Sequence, residues 1–241
     1  GVKRIFSNQY CYAALKEDGS VVTWGNRFDG GDSSEVSDHL TGVTNIFSTD
    51  QAFAALRNDG SVVTWGDSDY GGDSLPLIFD LDGGVEKIQS SNKAFAALKN
   101  DGSVVTWGGS NDGGDSSAVS DQLSGVTNIF ATDNAFAALK EDGSVVTWGN
   151  QYDGGDSSEV SDQLSGVTNI FATDRAFAAL KDDGSVVTWG YSYYGGDSSE
   201  VSDQLSGVVN IFSNQGAFAA LKDDGSVISW GNREFGGQNS Y

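Results

Sequence analysis

The chain has 241 residues, of which 38% are apolar and 11% aromatic, enough to build a sizeable core. It carries 34 acidic and 13 basic residues, a formal net charge of −21, and such a surface repels phosphate backbones, so we expect no nucleic-acid partner. Its one cysteine excludes an intrachain disulfide, and no apolar run is long enough to cross a bilayer, so we expect no membrane span.

One unit of about 41 residues recurs six times, which is the mark of a repeat architecture. A Gly-Val pair opens each unit, and a Trp-Gly pair recurs in the same phase. The units are residues 1–41, 42–83, 84–124, 125–165, 166–206 and 207–241. We therefore predict a single repeat domain over residues 1–241.

Each unit is predicted to hold three strands, illustrated by the fifth unit at residues 167–171, 176–180 and 185–189. An Asp-Gly pair between the second and third strands predicts a hairpin turn, because glycine tolerates the positive φ that such a turn requires. The turn glycines are Gly19, Gly60, Gly102, Gly143, Gly184 and Gly225.

The second strand is apolar on both faces, since Phe177 and Ala179 share one side while Ala178 and Leu180 share the other. A sheet buried on both faces favours an all-β propeller of six repeats, in which each sheet lies between two neighbours. One tryptophan per unit is then expected to pack between sheets. These residues are Trp24, Trp65, Trp107, Trp148, Trp189 and Trp230.

The linker between units favours a short helix at the edge of the sheet. In the fourth unit Asp156 and Glu159 have the spacing of a capping box, and Val160 and Leu164 share one helical face. The linker that enters the third unit, residues 74–79, is more apolar. It is expected to form either an extra edge strand or a local contact surface.

The string Ala-Leu-x-x-Asp-Gly-Ser-Val-x-x-Trp-Gly, at residues 179–190 and in phase in every unit, resembles the repeats of the regulator of chromosome condensation family. Residues 235–238, Phe-Gly-Gly-Gln, are similar to that family's glycine loop. The resemblance implies a β-propeller whose blades are usually four-stranded. Here the linker occupies the place of a fourth strand, so we expect three or four strands per blade. Nucleotide exchange on a small GTPase and chromatin docking, the family's familiar activities, are not supported residue by residue.

Catalysis finds no support in the residue pattern. The one histidine, His39, stands where the equivalent units have Gln163 and Gln204, which a catalytic base would not tolerate. Cys11 replaces an alanine of the second strand and is expected to be a buried, inert thiol. We predict a protein that is not an enzyme.

The residues before each Gly-Gly pair vary most, and variable loops on a constant scaffold are typical binding sites. Their aromatic and carboxylate side chains suit recognition of a protein or a glycan. The candidate binding residues are Phe28, Asp29, Tyr70, Asp112, Tyr152, Asp153, Tyr193, Tyr194 and Phe235. No metal ligands are assigned, because the spacing matches no known calcium loop, although Ca²⁺ stays open as a cofactor.

We therefore expect a non-enzymatic interaction, adhesion or scaffold module of a larger surface or secreted protein. Two alternatives stay open: a carbohydrate-binding array, with or without calcium, and an intracellular regulatory propeller such as a guanine-nucleotide exchange factor. The fold by itself does not choose among them.

Overall fold

The structure, a computed structural model, describes residues 1–237. It contains six antiparallel sheets of three strands each, one per repeat, which confirms the all-β prediction with three strands per sheet. The strands are Val2–Ser7 (β1), Cys11–Lys16 (β2), Val21–Gly25 (β3), Val43–Ser48 (β4), Ala52–Arg57 (β5), Val62–Gly66 (β6), Val85–Ser90 (β7), Ala94–Lys99 (β8), Val104–Gly108 (β9), Val126–Ala131 (β10), Ala135–Lys140 (β11), Val145–Gly149 (β12), Val167–Ala172 (β13), Ala176–Lys181 (β14), Val186–Gly190 (β15), Val208–Ser213 (β16), Ala217–Lys222 (β17) and Val227–Gly231 (β18).

Short 3₁₀ helices connect the strands. They are Ser34–His39, Ser68–Tyr70, Leu75–Leu77, Ser110–Asp112, Ser117–Gln122, Gln151–Asp153, Ser158–Gln163, Ser192–Tyr194, Ser199–Gln204 and Arg233–Phe235, and the irregular turn Arg27–Gly31 takes the equivalent place in the first repeat.

The middle strand of each sheet pairs with both neighbours through tight connections. In the fifth repeat β14 pairs with β13 and with β15, and the β14–β15 hairpin closes at Gly184, where φ is 76°. Asp183 accepts hydrogen bonds from the amide and the hydroxyl of Ser185, at 2.9 and 2.6 Å. The same Asp-Gly-Ser turn occurs in all six repeats, so the hairpin is specified by local sequence.

The chain forms two compact units, residues 1–118 and 119–241, each of which contains three sheets. The single repeat domain over residues 1–241 stays a prediction, and its last four residues lie outside the described part of the chain.

The core lies between successive sheets within each unit. In the second unit Phe177, Ala179 and Trp189 of the fifth repeat pack against Ala137 and Leu139 of the fourth. The opposite face of β14 packs on the sixth repeat in the same way. The first unit repeats this arrangement between its first and second and between its second and third sheets. The alternation read from the sequence therefore separates two buried faces, as predicted.

The linker helices differ from the sequence prediction in type and in cap. Residues 158–163 form a 3₁₀ helix, and Asp156 accepts a hydrogen bond from the amide of Ser158 two residues on, at 2.9 Å. The Asp therefore makes an Asx turn instead of the predicted capping box with Glu159. Leu164, 4% exposed, joins the core between the fourth and fifth sheets, and Val160 is half-buried against it.

The linker that enters the third repeat is not an edge strand. Leu75–Leu77 form a 3₁₀ helix with Pro76 in its first turn, and a turn follows before β7. Proline fixes φ and removes an amide donor, which suits the start of a helix better than a strand. Leu75, Ile78 and Phe79 stay exposed, so the other expectation, a local apolar surface, agrees with the exposure of these residues.

Candidate functional site

The loops that precede each Gly-Gly pair share one backbone conformation. In the fourth repeat Asn150 accepts a hydrogen bond from the amide of Tyr152, one 3₁₀ turn follows, and Gly154 ends it with φ 101°. Only glycine adopts this left-handed conformation at no steric cost. The positive-φ glycine recurs in these loops, whereas the third and fifth repeats have Gly109 and Tyr191 at the first position and lack the side-chain bond there.

Two hydrogen bonds to successive carbonyl groups hold the loop of the fifth repeat in place. In the fifth repeat the hydroxyl of Thr173 donates to the carbonyl of Tyr194 at 3.0 Å. The indole of Trp230, in the next repeat, donates to the carbonyl of Gly195 at 3.0 Å. A Cβ atom at Gly195 would lie 2.6 Å from the ring of Phe218, so the close approach also requires glycine.

The same anchoring recurs along the chain. The equivalent tryptophan–glycine bonds are Trp65 to Gly30, Trp107 to Gly71 and Trp189 to Gly154, at 3.0 to 3.1 Å. The equivalent bonds to the preceding carbonyl come from Asn8, Thr49, Ser91, Thr132 and Asn214. The variable loops are thus rigidly positioned on the sheets.

This anchoring divides the predicted binding residues into two groups. The first group stands directly before Gly-Gly, where the carbonyl is bonded and the side chain is buried or half-buried. Its members are Asp29, Tyr70, Asp112, Asp153, Tyr194 and Phe235. The second group stands one residue earlier and faces solvent. Its members are Phe28, Tyr152 and Tyr193, which are 67%, 66% and 56% exposed.

In the first unit, Phe28 lines a groove of about 820 Å³. Asp32, Glu35 and the apolar side chains of Leu75 and Ile78 line the same groove. The hydroxyl and amide of Ser34 hold the pKa of the Asp32 carboxyl below its ordinary value, so this group is ionised at neutral pH. The groove combines an apolar wall with four carboxylates, since Asp73 and Asp82 also line it. Arg27 and Arg57 line it as well, and the guanidinium of Arg27 lies 4.8 Å from the centroid of the Phe28 ring.

In the second unit, Tyr193 lines a groove of about 620 Å³ built from the equivalent positions. Asp197 and Glu200 correspond to Asp32 and Glu35 of the first groove. The amide and hydroxyl of Ser199 lower the pKa of Asp197, which is therefore also ionised at neutral pH. An exposed aromatic ring beside two carboxylates is thus a recurring feature of these repeats.

An ionic and aromatic cluster lies beside the loop of Tyr193. Asp153, 1% exposed, accepts hydrogen bonds from Arg175 at 2.6 Å and from Asn134 at 2.9 Å. The guanidinium of Arg175 lies over the ring of Tyr191, 4.5 Å from its centroid. Tyr194 is half-buried, with its ring centroid 5.8 Å from that of Tyr191. Asp153 and Tyr194 therefore help to stabilise the loop, and their role in binding stays a prediction.

Sequence reasoning missed Arg175 and its equivalent Lys93, whose ammonium lies 5.3 Å from the ring centroid of Tyr70. Both stand in the turn between the first and second strands, at a position occupied by Tyr10, Gln51 and Asn134 elsewhere. The variation at this position was the available signal.

The titratable residues singled out from the sequence do not form a reactive site. Cys11 is buried, its thiol donates to the carbonyl of Asn26 at 3.0 Å, and burial together with Asp29 raises its pKa. His39 lies exposed at the end of a 3₁₀ helix. Residues 1–237 hold no cluster of three or more His, Cys, Asp or Glu side chains suited to a metal ion, and a calcium requirement stays a prediction. None of the helices within the same residues is long and apolar enough to span a membrane.

No known protein family and no curated protein matches the sequence. Solved structures do match. The yeast RCC1 protein Prp20, crystallised with Kap60, is 18% identical with a TM-score of 0.56, over 97% of this chain and 70% of that one. Human WBSCR16 is 16% identical with a TM-score of 0.56, over 95% and 76%. The ectodomain of the Physcomitrella patens receptor kinase CR4 is 17% identical with a TM-score of 0.54, over 96% and 61%.

Six repeated three-stranded sheets, together with these similarities, define the class as a β-propeller, which confirms the predicted fold. Within that class, the chain has the fold of the RCC1-like propellers, so the resemblance to the regulator of chromosome condensation family is confirmed at the level of fold.

Proposed function

We propose that this chain is a non-catalytic interaction module that binds basic segments of a protein partner in its grooves. The observation that carries the proposal is the repeated placement of an exposed aromatic ring beside two carboxylates. Phe28 with Asp32 and Glu35 forms one such set, and Tyr193 with its two carboxylates forms the other.

The chemistry of each groove suits lysine and arginine side chains. An aromatic face attracts a cation within about 6 Å of its centroid, and a neighbouring carboxylate accepts its hydrogen bonds. The net charge of −21 adds a long-range attraction for a basic partner and raises the rate of encounter. The related yeast propeller Prp20p has been studied for its binding to Gsp1p and histones, which shows that this fold serves protein partners elsewhere.

The groove hypothesis is tested by selecting peptides from a random display library on the wild-type protein. We expect the selected peptides to be rich in Lys and Arg. Tyr193→Ala and Glu200→Gln should weaken binding to the second groove about tenfold or more, the scale of a lost cation–π contact or charged hydrogen bond. Phe28→Ala and Glu35→Gln should do the same for the first groove.

Two matched variants control for loss of an aromatic ring and for loss of a charge outside the grooves. Tyr10→Ala removes an exposed ring, and Glu141→Gln removes an exposed carboxylate from a hairpin turn. Both should leave peptide binding unchanged. Equal weakening of peptide binding in the groove variants and in the control variants would refute the proposal that the peptides bind in the grooves.

Other partners are distinguishable outcomes. If no peptide is selected and the wild type, but not Tyr193→Ala, binds to a glycan array, the ligand is a sugar and not a protein. Acceleration of nucleotide release from a small GTPase would indicate that the protein is an exchange factor, and we expect no such acceleration. We also propose an extracellular setting, supported by the similarity to a receptor ectodomain. Labelling of the protein by a membrane-impermeant reagent on intact source cells tests it, and protection from that reagent would contradict it.

A further inference from the structure

Two sheet faces are exposed although their counterparts in other repeats are buried. The first, here called the Ile5 face, consists of Val2, Ile5, Tyr12, Val22 and Trp24, which are 57%, 57%, 48%, 46% and 44% exposed. Each of these residues has a hydrophobic side chain. An exposed contiguous patch of this kind marks a contact surface.

The second exposed face belongs to the sixth repeat and is here called the Phe212 face. Phe212 is 58% exposed and Gly236 is exposed, while Ala219 and Leu221 are half-buried. The counterpart of Ala219 in the fifth repeat, Ala178, is 0% exposed. The strand residues that share this face with Phe212 are uncharged, among them Asn210, Ala219, Leu221 and Val227.

The chain itself shows what covers such faces. Between the fifth and sixth sheets, Phe171, Ala178 and Leu180 pack on Ile211 and Trp230. The same contact occurs between the fourth and fifth, first and second, and second and third sheets. In every case the equivalent of the Phe212 face covers the equivalent of the Ile5 face.

The four internal interfaces also show how closely the two exposed faces are matched. The isoleucines equivalent to Ile5 are buried once a neighbouring repeat covers them, with Ile46 at 2% and Ile211 at 1% exposure. A Cβ atom at Gly195 would clash with the covering Phe218, whereas one at Gly236 would have no heavy atom of residues 1–237 within 4 Å. The two exposed faces are therefore the two halves of an interface that recurs within both units of the described chain.

We propose that the Phe212 face of one copy of this chain docks on the Ile5 face of a second copy, head to tail. The indole of Trp24 then donates to the carbonyl of Gly236 of the other copy, as Trp230 donates to Gly195 within the chain. The contact is heterologous, so each dimer keeps one free face of each kind and assembly continues until a ring closes or a filament forms.

The strength and the salt dependence of the contact follow from its composition. Association between copies also costs translational and rotational freedom that packing within one chain does not, so it is weaker than the internal packing and reversible. Because each copy carries a charge of −21, repulsion opposes association, and added salt strengthens it by screening. Peptide binding in the grooves has the opposite salt dependence, so the two proposals fail independently.

The test is sedimentation velocity of the whole chain from about 1 to about 100 μM, a range in which contacts of moderate strength dissociate. We expect the weight-average sedimentation coefficient to rise with concentration and to rise further at higher salt. Quenching of tryptophan fluorescence by iodide should decrease over the same range, because Trp24 becomes covered. A single species of monomer mass at every concentration and salt level overturns the proposal.

Two variants separate the faces. Ile5→Asp places a charge on the first face, and Phe212→Asp places one on the second. Both side chains are exposed, so the monomer should keep its urea unfolding midpoint. Each variant alone should stay monomeric. Phe79→Asp, at a residue that is 91% exposed and outside both faces, should assemble like the wild type.

Mixing the two variants gives the sharpest result. Ile5→Asp keeps a functional Phe212 face, and Phe212→Asp keeps a functional Ile5 face. An equimolar mixture should therefore form dimers and nothing larger. A mixture that stays monomeric, or single variants that assemble as far as the wild type, would show that these faces are not the contact.

Discussion

Replacement of a buried tryptophan tests how much each interface between repeats contributes to stability. Trp189 is 4% exposed, stacks on Phe177 with ring centroids 5.3 Å apart, and donates to the carbonyl of Gly154 at 3.1 Å. Trp189→Ala leaves a cavity between two sheets and an unpaired carbonyl, so the free energy of unfolding should fall by about 3–5 kcal/mol. Trp189→Phe keeps most of the packing and removes the donor, which should cost about 1–3 kcal/mol.

The first repeat supplies a matched control. Trp24 is 44% exposed and stacks on Tyr12 with centroids 5.4 Å apart, and no carbonyl in the described part of the chain accepts from its indole. Trp24→Ala should therefore cost little beyond the ring contact, about 0.5–1.5 kcal/mol. Urea unfolding followed by circular dichroism, at a protein concentration too low for assembly, measures both losses. Equal losses for Trp24→Ala and Trp189→Ala would refute the claim that the indoles stabilise the contacts between repeats.

Three further predictions use other contacts of the same repeats. Gly154→Ala should destabilise the protein far more than Gly236→Ala in urea unfolding. Both glycines have positive φ, but only at Gly154 would the new Cβ lie 2.5 Å from Phe177. Equal losses of stability in the two variants would contradict the steric argument. The bonds from Ser185 lower the pKa of Asp183, so the folded state favours the ionised form. This stabilisation is complete above the unfolded pKa of about 4 and is lost as pH falls through the lower folded value. The urea concentration at the unfolding midpoint of the wild type should therefore decrease as the pH is lowered below about 4. Replacing the six equivalent turn aspartates by asparagine should make this decrease smaller, and an unchanged pH profile in that variant would contradict the role of these aspartates. Cys11→Ala should shift the midpoint only slightly, since alanine occupies this position in the other repeats, and a loss of about 3 kcal/mol or more would contradict that expectation.

The strands and their faces were predictable because they are specified locally. Period-two alternation assigns Phe177 and Ala179 to one face, and Asp-Gly-Ser fixes the hairpin after Lys181. The short linker helix was predicted, but its 3₁₀ type and its cap were not, because Val160 and Leu164, four residues apart, fit an α-helical face equally well. The 3₁₀ helix that follows the Asx turn at Asp156 also brings Val160 and Leu164 to the core.

The variable loops stay predicted binding sites, and the sequence alone could not sort their side chains into exposed and buried ones. The hydrogen bonds that hold each loop are accepted by backbone carbonyls, such as those of Tyr70 and Asp153. These bonds therefore do not depend on which side chain the residue carries. The exposure of Ile5 and Trp24 was only weakly signalled, because the first repeat keeps the apolar positions of the others and departs from them on this face at Tyr12, where the others have phenylalanine.

Hydrogen exchange of the indole protons tests most directly whether the repeats stack through tryptophan. The measurement follows the six indole resonances of the ¹⁵N-labelled Phe212→Asp variant, which keeps the chain monomeric. We predict slow exchange for Trp65, Trp107, Trp189 and Trp230, whose indoles donate to glycine carbonyls of the preceding repeat, and exchange near the solvent rate for Trp24. Exchange of all these indole protons at the rate of free indole would contradict the stacking of repeats.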